Sequence, residues 1–288
     1  MKPLTALFAL ASGAISSEEP IACQGYLKLP ATNGTIIRCW ARHDDVTLEQ
    51  AIAQSCDVYF YESSLRYGKW PPPGNEGVLH WLQVSRLQIL SRFEHMQRAF
   101  GLGGGTGIDL PGEETGYVNE GSGQVTDLPY TAIGQNEVFT PLELAVYTSA
   151  IANDGVRVVP HVVASIGSLR YTTSSFKNVI DQGLGIKADD LISIQRGMWM
   201  ACNDRLGTAY HTFHDDKRAL YEVAGKTGTA ETGVSGFDNA VFIGYAPYDH
   251  PQIAIAVVVP GGGHGADSTG PIARAMFDRF FAKLSRKS

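Results

Sequence analysis

Apolar positions along this chain change their period from region to region, and the changes mark its elements. In "LEQAIAQSCDVYFYESSLR" at 48–66 they fall at helical spacing with a break at Ser55, which predicts a helix, a turn and a second helix. "TPLELAVYTSAIANDG" at 140–155 adds end signals to the same period: Thr140 with Pro141 at the first helical position starts a helix, and Asn153-Asp154-Gly155 stops it. Residues 78–100 and 188–203 also read as helices. The opening, "MKPLTALFALASGAI", reads in two ways, as a short secretory signal or as a buried helix without its first turn. "WPPPGNEG" at 70–77 is expected to be a loop, because proline locks φ and removes donors. The glycine-rich run "GLGGGTGIDLPGEETG" at 101–116 reads as surface chain; no Lys-Ser or Lys-Thr follows it, so it is not a phosphate loop.

The last third turns to β structure. "YEVAGKTGTA", "AVFIGYAP" and "QIAIAVVVP" predict an antiparallel meander of three strands, joined at Gly233–Asn239 and Tyr248–Pro251. "VRVVPHVVASI" after the 140–155 helix predicts an edge strand, given Pro160. The closing "TGPIARAMFDRFFAKL" carries an apolar stripe suited to covering one face of the sheet. The expected fold is α/β (α+β), with a mainly helical part over 1–215 and an antiparallel sheet with a packing helix over 216–288.

Composition narrows the functional classes. The formal charge of −6 over 288 residues is spread without long basic or acidic blocks, so nothing in it suggests a phosphate-tracking surface and a nucleic-acid partner is not expected. No apolar run reaches the roughly 20 residues that cross a bilayer, so a membrane anchor would have to lie outside this sequence.

Two short strings carry candidate chemistry. Lys226-Thr227-Gly228-Thr229 falls on a predicted strand, where Lys226 and Gly228 share one face and Thr227 points away. A cation, two hydroxyls and free backbone donors at a strand edge suit an anionic peptide end, although such a lysine beside a turn is equally common without function. Ser55-Cys56-Asp57 at a helix break is by itself an ordinary cap. Together, in this order and with a long helical stretch between them, they match the second and third elements of the set S-x-x-K, S-D-N or a relative, and K-T-G.

That match directs attention to Lys2-Pro3, which resembles the end of a Ser-x-x-Lys-Pro nucleophile motif running into an apolar helix. With "CQGYLKLP…IRCWARH", "AIAQSCDVYFYESSLRYG", "GTGIDLPGEETG", "AIGQNEVFTPLELAVYTSAIANDG", "AGKTGTAE" and "FIGYAP…IAIAVVV" in family order, the chain resembles class B penicillin-binding proteins of the penicillin-binding protein 2 type. The resemblance implies the penicillin-binding transpeptidase and serine β-lactamase-like fold, lacking its first two strands. It also implies an N-terminal truncation, with the nucleophilic serine two positions before Met1, and an isolated chain that is inactive. Lys2 would be the base, kept partly neutral by burial and by the like charge of Lys226. Ser55 would relay a proton, and Asp57, standing where many relatives have asparagine, accepts but cannot donate. Thr227 and Thr229 would hold a terminal carboxylate, with Gly228 leaving room for the substrate backbone. The implied activity is D,D-transpeptidation of peptidoglycan stem peptides through a serine acyl-enzyme, blocked by β-lactams, on the periplasmic side of the inner membrane. The implied partners are a membrane glycan polymerase and the elongation complex. A carboxypeptidase or β-lactamase on the same fold, or a non-catalytic penicillin-recognition scaffold, are the alternatives. The segments 69–89 and 117–130 depart in length from the family pattern.

No organic cofactor is implied. Cys23, Cys39, His43 and Cys56 lie within 34 residues, a donor set that suits a closed structural zinc site, although the spacing is not that of a zinc finger. A Cys23–Cys39 disulfide, suited to an oxidising compartment, and three unrelated thiols are the other readings. Cys202 reads as an inert core thiol.

Overall fold

The computed structural model describes the chain except for residues 164, 167–168, 171–175, 179–182, 215–220, 235 and 287–288. Its first helix, α1 (Lys2–Ala11), is apolar on all sides and accordingly sits at the centre of the molecule, with Leu4, Ala6 and Ala9 fully enclosed. Two short antiparallel pairs follow: β1 (Ile21–Cys23) with β4 (Asp44–Val46), enclosing β2 (Tyr26–Lys28) with β3 (Ile36–Arg38). Next come α2 (Leu48–Ala53) and α3 (Asp57–Tyr67), with the turn at Ser55 between them as the sequence predicts.

The stretch read as a loop over 70–77 is shorter than expected. Pro73 is the cap residue and α4 (Gly74–His80) begins directly after it, since the first turn of a helix needs no backbone donors from the preceding prolines. It continues through a single π-helical segment, Trp81–Ser85, into α5 (Arg86–Ala99). The glycine-rich 101–116 segment has no regular structure, and leads to α6 (Asp127–Ile133). Helix α7 (Pro141–Ala152) carries the predicted start: Thr140 accepts from the Glu143 N–H and Glu143 reaches back to the Thr140 N–H, a reciprocal capping box. The expected edge strand stops before Pro160, as β5 (Val156–Val158), and pairs with β8 (Phe176–Asn178); β6 (Ser165–Ile166) pairs with β7 (Leu169–Arg170).

Helix α8 (Ala188–Asn203) matches its predicted span, and a short α9 (Tyr210–Phe213) follows. The meander is β9 (Ala224–Ala230), β10 (Asn239–Ala246) and β11 (Ile253–Val259), antiparallel throughout, with order β11-β10-β9. The final helix, α10 (Gly265–Leu284), starts four residues earlier than the sequence pattern suggests. The boundary expected between residues 215 and 216 falls outside the described residues.

The two faces of the sheet feed two cores. Ala224, Ile243 and Tyr245 point into the large core around α1, with α2, α3 and α8, whereas Val223, Phe242, Ile255 and Val257 pack with Phe213 of α9 and with Ala273 and Phe277 of α10. Helices α2 and α8 approach so closely at Gly197 that a Cβ there would lie 2.8 Å from the Ile52 Cβ, which fixes α2 against the helix that also backs β9. Away from the sheet, a fully enclosed ion pair between Arg86 and Asp127 holds α5 to α6, and Asp127 also accepts the N–H groups of Ser122, Gly123 and Gln124. Such a pair is spread over distant residues and leaves no pattern in the sequence.

Candidate active site

Helix α2 ends in a Schellman arrangement: the Cys56 N–H bonds the Ala51 carbonyl at 3.0 Å and the Ser55 N–H bonds that of Ile52 at 3.3 Å. The left-handed position of this motif normally holds glycine, but here it is Ser55, at φ +57. An L-residue there costs about 1–2 kcal/mol, a cost that a glycine would avoid and that only a need for the side chain explains.

That side chain meets the start of α1. Lys2 Nζ lies 2.7 Å from Ser55 Oγ, 2.8 Å from the Ser55 carbonyl and 2.7 Å from Asp57 Oδ1. The Lys2 and Asp57 side chains are 11% and 15% exposed, so the ion pair is nearly closed to water. Asp57 opens α3, where its charge also suits the helix dipole. Lys226, on β9, is enclosed and donates to the Thr227 carbonyl at 2.7 Å. Burial first, and the charge of Lys2 second, push its ammonium well below the ordinary lysine value, while Asp57 and Cys202 act in the opposite direction. Lys2 itself has an opposite charge in contact, that of Asp57.

The other strand residues are also placed. Thr227 Oγ1 lies 2.7 Å from Thr208 Oγ1, on the face opposite Lys226. Thr229 Oγ1 accepts from the Gly265 N–H at 3.3 Å, and its carbonyl accepts from Gln135 Nε2 at 3.4 Å, so the "AIGQ" segment reaches β9. Gly228 is half-buried, and a Cβ there would meet nothing closer than Val241 at 3.5 Å.

Beside the Ser55 turn, Cys23, Cys39, His43 and Cys56 converge, with their four ligand atoms within 4.8 Å of one another. His43 Nδ1 is 3.6 Å from Cys23 Sγ and 3.5 Å from Cys39 Sγ, and all four cysteines of the chain are free thiols. Cys39 Sγ accepts the Asp57 N–H at 3.1 Å, which ties the cluster to the α3 start. The Cys56 thiol donates to Cys39 and holds the Cys39 thiol below its ordinary value, while the same bond and burial push Cys56 up. Trp40, not singled out from the sequence, closes this side: its backbone N–H bonds Asp57 Oδ2 at 3.3 Å and its indole N–H bonds the Ser55 carbonyl at 3.1 Å, with the ring 65% exposed. Its place in "RCWARH", between Cys39 and His43, is the only sequence signal for it.

Residues 1–279 match the penicillin binding protein transpeptidase domain. The chain belongs to that family. It is 30% identical to the peptidoglycan D,D-transpeptidase MrdA of Acinetobacter baumannii, over 100% of this chain and 42% of that protein, and 32% identical to penicillin-binding protein 2B of Streptococcus pneumoniae, over 82% and 35%. Among solved structures, Pseudomonas aeruginosa PBP2 in complex with WCK 5153 superposes with a TM-score of 0.80 at 26% identity, over 97% of this chain and 59% of that one. The PBP2 of Helicobacter pylori in complex with MreC gives 0.76 at 26%, over 98% and 48%. The chain therefore spans less than half of these curated relatives, and its fold is that of penicillin-binding transpeptidase domains, with a strong likeness to the PBP2 type.

Proposed function

We propose that this chain is the acyl-transfer part of a peptidoglycan D,D-transpeptidase of the elongation type. The observation that carries the reading is the contact of Lys2 Nζ with Ser55 Oγ at 2.7 Å, with Asp57 and the enclosed Lys226 beside it. In this family's chemistry a serine one helical turn before Lys2, two positions ahead of Met1, attacks the carbonyl between two D-alanines. Lys2 takes the serine proton, and Ser55 passes a proton on to the departing D-alanine. Lys226, enclosed on β9, faces that relay. Thr227 and Thr229 hold the terminal carboxylate, and the Thr229 N–H supplies half of the oxyanion hole. An amine from a neighbouring stem peptide then takes the acyl group. β-Lactams occupy the same groove as stem-peptide mimics.

Cys23, Cys39, His43 and Cys56 fit one structural zinc ion. Three thiols and an imidazole within 4.8 Å are the donor set and the size of a closed tetrahedral site, with zinc–thiolate bonds of about 2.3 Å. Bound there, zinc would supply no chemistry to the substrate; it would fix the β1–β4 region to the Ser55 turn through Cys56 and through the Cys39 bond to Asp57. The likeness to a PBP2 solved with MreC supports a place in an elongation complex; a glycan polymerase as a further partner and a location on the periplasmic side of the inner membrane belong to the same proposal. Among the described residues no helix is long and apolar enough to cross a membrane.

Incubation with a fluorescent penicillin followed by intact-mass measurement tests the reading. A chain extended so that serine stands two positions before Met1 is expected to gain one penicillin, and Lys2→Ala to abolish the gain. The 288-residue chain is expected to gain none. Covalent labelling of one of its own residues would overturn the assignment of the nucleophile.

A further inference from the structure

The segment between α8 and α9 joins the end of α2 to strand β9 at one residue. Gly207 donates to the Asp204 carbonyl at 2.9 Å, and no side chain fits there, because a Cβ would run into the carbonyls of Met200 and Ala201. On the other side, the enclosed Ala209 donates to the Ala201 carbonyl at 2.9 Å. Thr208 is therefore clamped to the end of α8. From that clamp it makes two further bonds: its N–H meets the Ala53 carbonyl at 3.1 Å and its hydroxyl meets Thr227 Oγ1 at 2.7 Å. Ala53 is the last residue of α2, two before Ser55, and its carbonyl is one of those a helix end leaves without an internal partner. Thr208 thus caps the element that carries Ser55 and braces the strand that carries Lys226.

The hydroxyl pair has a chemical consequence. Each threonine has one proton to give and two lone pairs to offer, and between two hydroxyls at 2.7 Å only one proton lies on the line. An anion in front of Thr227 needs the Thr227 proton, so the proton on the line must come from Thr208. A bond in that direction also polarises the Thr227 hydroxyl as a donor. We infer that Thr208 is a positioning residue for recognition of the substrate's terminal carboxylate, acting through Thr227. The inference rests on the transpeptidase reading above, in which Thr227 faces that carboxylate.

The test is an NMR titration of the 288-residue chain with a diacetyl-lysyl-D-alanyl-D-alanine peptide and with its C-terminal amide. The unmodified chain is expected to prefer the acid. Thr208→Val keeps the backbone N–H and nearly the shape, and is expected to reduce that preference about fivefold, the weight of one neutral intramolecular hydrogen bond. Thr208→Ser is expected to keep the preference, and the Ser55 and Cys56 amide signals should not move in either variant. Should Thr208→Val not fold, Thr208→Ala carries the same expectation. Retention of the acid preference in Thr208→Val overturns the inference while leaving the transpeptidase reading intact, and so does an equal loss of both ligands that serine does not rescue. Binding of neither ligand by the unmodified chain overturns the transpeptidase reading, and this inference with it.

Discussion

Strand β9, which carries Lys226, and the Ser55 turn are the two walls of the proposed site, and they are held in place by different means. Strand β9 lies beside β10 along seven register pairs, and β10 is sealed on both faces, by Phe242 and Phe277 on one side and by Ile243 and Tyr245 on the other. Many small contacts hold it, and no single one decides its position. The Ser55 turn hangs on a few specific contacts: one left-handed backbone position, one nearly closed ion pair, and one N–H to sulfur bond from a thiol cluster. The sheet wall should therefore respond to mutation by losing global stability, and the turn wall by losing geometry first.

The largest effect expected is on the sheet side. Phe242→Ala removes a fully enclosed ring and should cost about 3–5 kcal/mol in denaturant unfolding, with no shift of the Ser55 amide in the folded fraction. Lys2→Met comes next. It leaves Asp57 nearly buried without its partner, at a cost of about 3 kcal/mol, and hydrogen exchange should show the opening concentrated at residues 53–58. Uniform loss of protection across β9–β11 in that variant would erase the distinction between the two walls. Smaller still is Cys39→Ser, which weakens the acceptor for the Asp57 N–H and should cost about 1–2 kcal/mol. With zinc bound, a chelator should reproduce its pattern, faster exchange at Ser55 and Asp57 with β10 unchanged. Ser55→Gly should have the smallest net effect. Relief of the left-handed strain is outweighed by the added freedom of glycine in the unfolded chain together with loss of the Lys2–Ser55 bond, so a net loss of about 1 kcal/mol is expected. A gain in stability in that variant would mean that the strain outweighs the Lys2–Ser55 bond.

The same contrast governs what could be read in advance. Helices α7 and α8 and the three-strand meander were legible because period and end signals act locally: Thr140-Pro141 starts one helix, and the β-rich runs at 224–259 stand between loop residues. The start of α4 at Gly74 was not, since three prolines in a row describe the approach to a helix as well as a loop. In the site, Lys2, Ser55 and Asp57 were named from motif order, and the structure brings them into contact. Cys23, Cys39, His43 and Cys56 were grouped by proximity in sequence and by donor type, and they converge. Thr208 and Trp40 were not singled out, because the role of each depends on a turn geometry that no periodicity encodes.

The central claim is that the fold closes Lys226 into one pocket with Lys2, and titration of a ¹³C-labelled Lys226 side chain tests it most directly. Because its folded value lies below the unfolded 10.5, the folded chain binds fewer protons between the two. The cost of enclosing Lys226 is then fullest below the folded value and fades as pH rises toward 10.5, and Lys226→Met should stabilise the chain near neutral pH but not above that. The account predicts a Lys226 midpoint well below 10.5 that moves upward when Lys2→Met removes the like charge. A midpoint at 10.5, indifferent to Lys2, would contradict it.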